Sequence, residues 1–369
     1  MQVVVTKTIA SFAPAAWNRL FPGELEDWAY YRATERAGLA GFEWLYVGVL
    51  RGTELRAVAP AFVTPYRLDT TLDGSLRTVV GGLAKAAPGL LRPRMLALGS
   101  PVAEACHVGF APDSDASERA ALFATLLDAC EGEAENQRAR LLAVKDLPAA
   151  SAFETVLVDR GLRHQPGQAT ACLDIAFRDL DGYLATLGRA TRRDLRRKWR
   201  SREQLRIEWR HDLTGISDQV VALYRQTLAR ASMRLEEITR DWFVDVMEGL
   251  AGRAACVCYW AGADLVAFNL VLHDGDRLID KYIGMDYSRA RALNLYYVSW
   301  LENVSHAIRN GMKTFQSGQG MSEEKARLGC RLLPNGLWYR HRNRMLNRAM
   351  ALAERAFGLQ QDPAPRECA

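Results

Sequence analysis

The strongest constraint on the fold is a set of three apolar segments between residues 254 and 286. They read AACVCYWAG, ADLVAFNLVLHDG and DRLIDKYIGMD, and tight turns at Ala261-Gly262 and Asp274-Gly275 separate them. Apolar segments of this length joined by Gly-containing turns are typical of antiparallel hairpins. The pattern therefore predicts a three-stranded meander that buries an apolar face against helices.

Helical and strand patterns surround this meander in a definite order. The predicted elements are a strand at LRIEWRH, helices over 215–231 and 239–250, the meander, a long helix over 289–310, a strand at MKTFQSG, a short helix over 322–328, a hairpin at RLLPNGLWYRHR about Pro334-Asn335-Gly336, and a helix over 342–357. The helices have apolar residues at spacings of three and four, and Gly311 provides a stop for the long one. We expect the tail, residues 361–369, to be disordered.

The first half repeats this order. It predicts a helical stretch over 14–38, a hairpin of EWLYVGVL and LRAVAPAFV, a strand at RMLALGS, a helix over 117–130, a strand at ARLLAVKDL, a helix over 149–160 and a strand over 167–177. Pro60 indicates that its strand is bulged or lies at a sheet edge. The sequence thus predicts an α/β (α+β) protein with mixed sheets flanked by helices, in two similar domains, residues 1–175 and 176–360.

A basic segment lies at the start of the second half. Residues 189–202 contain eight basic side chains, seven of them Arg, and one acid, Asp194. Leu184, Leu187, Leu195 and Trp199 recur at helical spacing, so this segment is predicted to be an amphipathic helix with one packed stripe. Its other face is a guanidinium surface, which suits phosphate groups. We therefore expect Arg192, Arg193, Arg196 and Arg197 to contact a polyanion.

Composition agrees with a local anion site in a globular protein. The net charge is +5, and residues 1–150 carry 15 basic and 17 acidic side chains, so the positive excess lies in the remainder. Seven cysteines without a second pair or His cluster at ligand spacing predict buried thiols and no metal site. Neither a signal-peptide core nor a membrane-spanning run is seen, so we expect a cytoplasmic protein.

Residues 187–340 resemble the Fem-type transferases and their GNAT-like bacterial relatives. The resemblance depends on the order and spacing of the RRDLRRKWR helix, Tyr282-Ile283-Gly284 with Tyr287 soon after, Ala307 to Gly311, Phe315 to Gly318, and Lys325 to Gly329. Fem-type enzymes contain two GNAT domains in tandem and transfer aminoacyl groups from tRNA to an amine, and shorter relatives have acyl thioesters as further donors. The resemblance implies tandem GNAT-like domains that meet near residue 176, a shared cleft and acyltransferase activity.

The resemblance also places the site. In this fold the reacting carbonyl lies where the last meander strand separates from the next strand, between residues 281–286 and 315–320. The implied cleft residues are Gly284, Gln316, Ser317, Gly318 and Gln319, the proton-transfer candidates are Asp280, Tyr282, Asp286 and Tyr287, and Lys325 is expected to anchor an anion. Related sequences often have an acid before the glycine, where this chain has Gln316 and Ser317. No nucleophilic triad is visible, because His107, close to Cys106, lacks a third partner, so we expect direct attack.

The donor is inferred from a missing motif. Coenzyme A sites in many GNAT proteins use a Gly-containing loop whose N–H groups hold the pyrophosphate at a helix start. The equivalent stretch here, residues 286–293, has no glycine, although Arg289 and Arg291 can contact phosphate. This favours aminoacyl-tRNA over acyl-CoA or acyl-carrier protein as the donor, without a tightly bound cofactor. A non-catalytic RNA-binding or scaffold protein is a lesser alternative. The amine acceptor, a small molecule or a peptide, stays open.

Overall fold

The computed structural model describes residues 1–66, 92–149, 151–231 and 235–348. Two mixed β-sheets form, with helices packed on them, as the sequence predicts for the α/β class. The predicted tail at 361–369 and most of the predicted helix over 342–357 lie outside the described residues.

The first sheet is built mainly by the first half of the chain. Its strands are β1 Gln2–Thr6, β2 Glu43–Arg51, β3 Glu54–Pro65, β4 Arg94–Leu98, β5 Gly109–Phe110, β6 Leu141–Pro148, β7 Arg163–Pro166 and β15 Asn335–His341. The helices of this half are α1 Pro14–Arg19, α2 Trp28–Ala37, α3 Ala116–Asn136 and α4 Glu154–Asp159. The helical stretch predicted over 14–38 is two helices, because α2 begins afresh at Asp27, whose carboxylate caps the N–H groups of Ala29 and Tyr30.

The second sheet contains β8 Thr170–Asp174, β9 Arg206–Arg210, β10 Ala254–Ala261, β11 Asp264–His273, β12 Arg277–Met285, β13 Thr314–Gly318 and β14 Arg331–Leu333. Its helices are α5 Leu180–Thr186, α6 Arg189–Trp199, α7 Ser217–Leu228, α8 Arg240–Gly249, α9 Leu295–Arg309 and α10 Ser322–Arg327. The predicted meander is β10 to β12, and α6 is the predicted basic helix. Each half therefore has the same order: a strand, two helices, a three-stranded meander, a long helix, a strand, a short helix and a strand.

The two halves exchange one strand each. The first sheet has the order β1-β2-β3-β4-β6-β15-β7, and the second has the order β9-β10-β11-β12-β13-β8-β14. β15 thus occupies in the first sheet the position that β8 occupies in the second. Strand pairing therefore crosses a boundary after residue 175: β8 precedes it but pairs in the second sheet, and β15 follows it but pairs in the first.

One local prediction is wrong. The segments around Pro334 do not form a hairpin, because β14 pairs with β8 and β15 pairs with β6 and β7, so the chain crosses between sheets at Pro334. The expectation that the Pro60 strand is bulged or lies at an edge is met in part, because β3 is internal and has its β-bulge at Arg56 rather than at Pro60. Pro60 is tolerated there because β4 pairs from Ala61 onward and β5 pairs with Ala57 and Val58, which leaves a gap at the position of the missing N–H group.

A continuous apolar core joins the halves. Trp17, Tyr30 and Tyr31 of the first half belong to the same buried cluster as Trp242 and Phe243 of the second. Across this contact, the Trp242 indole N–H donates to Thr34 Oγ1 at 3.1 Å. The halves are therefore packed as one body and share the cleft between them. Among the described helices, none combines the length and apolar character needed to cross a membrane.

The exchanged strand β15 should be necessary for stability. Trp338 on β15 is 6% exposed and lies between Val144 of β6 and His164 of β7. Trp338→Ala should lower the free energy of unfolding by about 3–5 kcal/mol, because it leaves a cavity in the apolar core between the first sheet and helix α3. Urea denaturation measures this, with Leu333→Ala as the control, since Leu333 is 42% exposed. A loss as small as that of the control would contradict the assigned exchange.

Candidate active site

A gap opens in the second sheet where β12 separates from β13. These parallel strands pair only from Arg277 with Thr314 to Ile279 with Gln316. Beyond that point β12 continues for six residues, paired with β11 alone. In the first sheet the equivalent strands β4 and β6 stay paired from Met95 to Leu98, to the end of β4. The opening predicted between residues 281–286 and 315–320 is therefore a feature of the second sheet.

A cavity of about 440 Å³ occupies this gap. Its walls come from β12 and the turn after it, the end of helix α7, helix α9, the loop after β13 with helix α10, and the first half. The lining residues include Asp280, Lys281, Tyr282, Tyr287, Tyr296, Ser317, Gln319, Lys325 and Glu104. The structure thus brings together six of the predicted site residues, which are Asp280, Tyr282, Tyr287, Ser317, Gln319 and Lys325.

Asp280 is the carboxyl group best placed for proton transfer. Asn269 Nδ2 donates to both of its oxygens, at 3.0 and 2.9 Å, and Asn303 Nδ2 donates at 3.3 Å. Burial raises the pKa of Asp280 to about 7, and the negative charge of Glu104 acts in the same direction. A carboxyl with a pKa near 7 can exchange a proton with substrate at neutral pH. Asn269 and Asn303 were not identified from the sequence, although each interrupts an apolar pattern.

A β-bulge at Lys281 connects this strand to the first half. Tyr282 pairs with Leu270 and Asp280 pairs with Val271, which leaves Lys281 as the extra residue. Its ammonium forms a buried ion pair with Glu26 and donates to Val102 O at 2.9 Å. Burial disfavours the charged lysine, but the Glu26 carboxylate holds the pKa of Lys281 above its usual value. The Lys281 charge is therefore neutralised by the first half.

Lys325, which the resemblance implied as an anion anchor, is buried. It is 5% exposed, and its ammonium donates to the carbonyl oxygens of Ser317, Gly318 and Gln319 at 2.7, 3.1 and 3.2 Å. Burial lowers the pKa of Lys325, although the charges of Glu104 and Asp280 oppose this effect. All three N–H groups of the ammonium are used by the protein. Lys325 therefore fixes the loop after β13.

Glu104 was not identified from the sequence, because it belongs to the first half and has no local motif. Its Oε2 accepts from Gln316 Nε2 at 2.9 Å, and its Oε1 accepts from the backbone N–H of Gln319 at 3.2 Å. A Cβ atom on Gly318, which has φ +79°, would overlap Oε1. Only glycine at this position leaves room for the Glu104 carboxylate.

The other predicted residues have different surroundings. The Tyr282 hydroxyl donates to Glu236 at 3.3 Å, and burial raises the pKa of Tyr282 well above its usual value. The Tyr287 ring packs under Arg230, with the guanidinium 4.1 Å from the ring centre. Asp286 stabilises its own turn by accepting from the N–H and hydroxyl of Ser288. Gly284 permits close packing, since a Cβ there would lie 2.7 Å from the Tyr224 backbone N.

His107 lies behind the cavity in the first half. Its Nδ1 is 2.6 Å from the Tyr31 hydroxyl, and its Nε2 is 3.5 Å from Glu26. Glu24, Glu26 and His107 are close enough to hold a cation together. The Lys281 ammonium already contacts Glu26 there, so these residues are accounted for by an ion pair between the halves.

Six arginines line a concavity of about 390 Å³ on helix α6 and its end. They are Arg189, Arg192, Arg193, Arg196, Arg197 and Arg200. Two have exposed acidic partners, Arg196 with Asp181 at 2.8 Å and Arg197 with Asp194 at 2.7 Å. The predicted guanidinium surface is therefore present as a concave patch, which we call the arginine concavity.

Helix α6, which carries the arginine concavity, packs against helix α9, and α9 forms part of the cavity wall. Lys198 of α6 lies 3.2 Å from the ring centre of Tyr297. The Tyr297 hydroxyl donates to Glu324 at 2.8 Å, next to Lys325, and the neighbouring Tyr296 lines the cavity. Helix α6 thus stands beside the cavity wall.

The turn before α9 offers few free N–H groups. The N–H groups of Arg289, Ala290, Leu293, Asn294 and Leu295 all donate to carbonyl oxygens within residues 286–291. The Arg289 guanidinium pairs with Asp264 at 2.8 Å and with Asp286 at 3.5 Å, whereas Arg291 is exposed. The backbone donors that would hold a pyrophosphate are therefore largely used within the turn.

Comparison with known proteins identifies the fold and the second domain. Residues 189–326 match the family model described as an acetyltransferase (GNAT) domain. The structure of FemX aligns with a TM-score of 0.60 at 13% identity, over 95% of this chain and 100% of that one. L-PGS from Bacillus licheniformis aligns with a TM-score of 0.52 at 12% identity, over 89% and 93%. A tandem GNAT protein from the clavulanic acid biosynthesis pathway aligns with a TM-score of 0.51 at 13% identity, over 92% and 98%.

No curated protein sequence matches the chain. At such low identities the structural matches establish a common fold, and they cover nearly the whole chain. The predicted tandem GNAT-like architecture and the resemblance to Fem-type and GNAT-like acyltransferases are confirmed. Residues 189–326 form a GNAT acyltransferase domain, and the cavity lies in this domain against the first half.

Lys325 should contribute to stability more than an exposed lysine does. Lys325→Met should lower the free energy of unfolding by about 3 kcal/mol, because it leaves three loop carbonyls without their charged donor. Denaturant titration measures this loss. The control is Lys313→Met, since Lys313 is exposed and pairs only at the surface with Asp276, and a change below about 0.5 kcal/mol is expected there. Equal stability of the two variants would contradict the assigned role of Lys325.

Proposed function

We propose that this GNAT-type acyltransferase moves an aminoacyl group from aminoacyl-tRNA to an amine by direct attack in the cavity between β12 and β13. The observation that carries the choice of donor is the arginine concavity beside the cavity wall. The resemblance to Fem-type transferases, which use aminoacyl-tRNA, supports the same reaction.

The reaction needs one base and no covalent enzyme intermediate. The lone pair of the acceptor amine forms the new C–N bond at the ester carbonyl, and the C–O bond to the terminal ribose breaks. Asp280 takes the proton that the nitrogen loses, and the departing ribose oxygen gains a proton from Asp280 or solvent, which restores the starting state. The two Asn amides hold the Asp280 carboxylate in place throughout.

Charge geometry supports a large polyanionic donor. Arginine guanidiniums are planar donors that bind phosphate oxygens in pairs, and several of them along one helix suit successive backbone phosphates. The turn before α9 uses most of its N–H groups internally, so it gives little support to a compact pyrophosphate. The two features together favour RNA over coenzyme A.

An acyl thioester is the second candidate donor. The matching family model is described as an acetyltransferase domain, and the tandem GNAT protein from the clavulanic acid biosynthesis pathway is described in its form without AcCoA. The open gap between β12 and β13 can equally receive a thioester carbonyl. The choice between the donors is therefore a matter for direct assay.

The donor assay supplies a labelled aminoacyl-tRNA pool and, separately, a panel of acyl-CoA thioesters, each with a mixture of amine acceptors. We expect label in the amine product from the tRNA pool, and we expect prior ribonuclease treatment to abolish it. Incorporation that needs a thioester and is indifferent to ribonuclease would contradict the proposed donor.

The same assay tests the arginine concavity. Reversing charge at Arg193 and Arg197 should weaken binding of tRNA and flatten its dependence on salt, because fewer counterions are released. The matched control reverses charge at Arg19 and Arg51, two half-exposed arginines of the first half that pair with acids. Equal tRNA affinity in both double variants would show that the arginine concavity contacts solvent and does not bind tRNA.

Asp280 should give the reaction a pH dependence. Because burial raises the pKa of Asp280 to about 7, its basic form accumulates only as the pH rises through that value. With methoxyamine, an acceptor that is neutral over this range, kcat/KM should rise up to about pH 7 and then level off. Asp280→Asn should remove this step and lower the rate by at least about a hundredfold.

The stability of Asp280→Asn shows whether a loss of activity comes from the loss of the base or from unfolding of the protein. An Asp whose pKa is higher in the folded state than in the unfolded state contributes stability at low pH that is lost as the pH rises through the folded value. Asp280→Asn should therefore be no less stable than the parent protein at pH 8. Asp286→Asn is the control and should keep the pH step, since Asp286 supports a turn. An unchanged pH profile in Asp280→Asn would contradict its role as the base.

A further inference from the structure

The cavity has an excess of unneutralised negative charge. Its lining contains two carboxylates, Glu104 and Asp280, and neither has an ion-pair partner among the residues that the structure describes. Of its two lysines, Lys281 is neutralised by Glu26, whereas Lys325 keeps its charge, because its three acceptors are uncharged carbonyls. Lys325 offsets one of the two carboxylates, so one negative charge is left when Asp280 is ionised. The cavity surface is thus suited to a cation, although the protein as a whole is basic.

Arg230 does not change this balance. It is exposed, stacks on Tyr287, and donates to Gln226 O at 3.2 Å. A guanidinium at the rim in contact with solvent is screened, whereas the carboxylates lie deeper. The charge that a bound group meets inside the cavity is therefore negative.

Glu104 is held in position without being neutralised. Its two hydrogen-bond donors, the Gln316 amide and the Gln319 N–H, are uncharged. They fix the direction of the carboxylate and leave each oxygen with capacity for another donor. The requirement for glycine at position 318 keeps the carboxylate against the loop.

Further acceptors stand unused in the same wall. Tyr296 Oη and Thr227 Oγ1 are buried, line the cavity, and have no hydrogen-bond partner in the described structure. A primary ammonium has three N–H donors and no acceptor. Such a group can satisfy a carboxylate and two hydroxyl oxygens at once, which a neutral hydroxyl or an acyl chain cannot do.

We propose that Glu104, supplied by the first half of the chain, is the specificity-determining residue of the cavity and selects substrates that carry a primary ammonium. The ammonium binds between Glu104 and Asp280. This rests on the proposed function for its second partner: where the acceptor supplies the ammonium, Asp280 takes one proton and frees the nitrogen lone pair for attack, and a second proton passes to the departing ribose oxygen. The first half thereby contributes recognition to the chemistry of the second.

Two substrates can supply this ammonium: the amine acceptor and the α-amino group of an aminoacyl donor. Both present the same –NH₃⁺ group. Kinetic tests with donors that have or lack the α-ammonium distinguish them.

The first test is binding without turnover. Calorimetry with n-butylamine, and with n-butanol as its uncharged counterpart, compares the parent protein with Glu104→Gln. This variant keeps the shape of the side chain and one acceptor oxygen for the Gln319 N–H, and its amide NH2 can donate to the Gln316 amide once that amide is turned over. We expect butylamine to bind the parent and to lose about tenfold or more in affinity in the variant, with butanol unaffected. Glu323→Gln is the charge-matched control, because Glu323 lies outside the cavity on the neighbouring helix α10, and it should bind butylamine as the parent does.

A second variant, Glu104→Asp, distinguishes a role of the Glu104 charge in binding the ammonium from a role of its side chain in holding the loop. Glu104→Asp retains the charge but shortens the side chain, so it weakens the contacts with the loop and should keep the preference for butylamine over butanol. A merely structural Glu104 would give the opposite result, since Glu104→Gln would then be the milder variant. Thermal unfolding of both variants shows whether each is folded.

The third test uses turnover and identifies the source. If the acceptor supplies the ammonium, Glu104→Gln raises KM for alkylamine acceptors and leaves KM for methoxyamine unchanged. If the donor supplies it, Glu104→Gln lowers kcat/KM for an aminoacyl donor and not for the N-acetylaminoacyl donor. Either result supports the proposal.

The proposal is overturned if Glu104→Gln and Glu323→Gln bind butylamine alike, or if Glu104→Gln alters butylamine and butanol equally. Failure of the proposed function has a different signature: butylamine binding would depend on Glu104 while neither tRNA nor thioester donors are consumed.

Discussion

The buried ion pair between Lys281 and Glu26 couples the two halves of the chain at the point where the second sheet opens. Lys281 is the extra residue of a β-bulge, so its ammonium leaves the strand toward the first half and meets a carboxylate that is 5% exposed. Removing one partner of such a pair leaves a buried charge uncompensated, at a cost of about 3–5 kcal/mol. The pair therefore fixes the first half against β12, and this contact brings Glu104 to the loop after β13.

The strand exchange gives the same coupling on a larger scale. Each sheet receives one strand from the other half, at equivalent positions, so neither sheet is completed by its own half. Among the described residues, only the second sheet separates at the equivalent joint, because β12 continues past its last pair with β13, whereas β4 ends at its last pair with β6. A repeated architecture thus carries one site, and the other copy serves as its wall. This division accounts for a proposed catalytic carboxyl, Asp280, in one half and a proposed ammonium-binding carboxylate, Glu104, in the other.

Local patterns in the sequence predicted most helices and strands. The predicted strand pairing was wrong where strands distant in the sequence pair with a segment in place of its neighbour. The meander, the basic helix and helix α10 follow from period and turn residues, which act within a few positions. The hairpin predicted about Pro334 looked equally local, yet its two strands have partners that lie between 159 residues (Arg331 with Cys172) and 200 residues (His341 with Leu141) away in the sequence. Tyr282, Tyr287, Ser317 and Gln319 were placed at the cavity by family resemblance. Glu104 could not be placed at the cavity in this way, because its role depends on the packing of the two halves and on the space that a glycine at position 318 leaves.

Binding of a donor mimic tests the central claim most directly. A short acceptor-stem RNA with an amino acid joined to its 3′ end through a stable amide would show where the carbonyl lies in a crystal structure of the complex. We expect the carbonyl to lie in the gap between β12 and β13, within reach of Asp280, and the phosphates of the stem to lie along Arg193 and Arg197. A mimic bound outside this gap, or with its phosphates away from helix α6, would contradict the account.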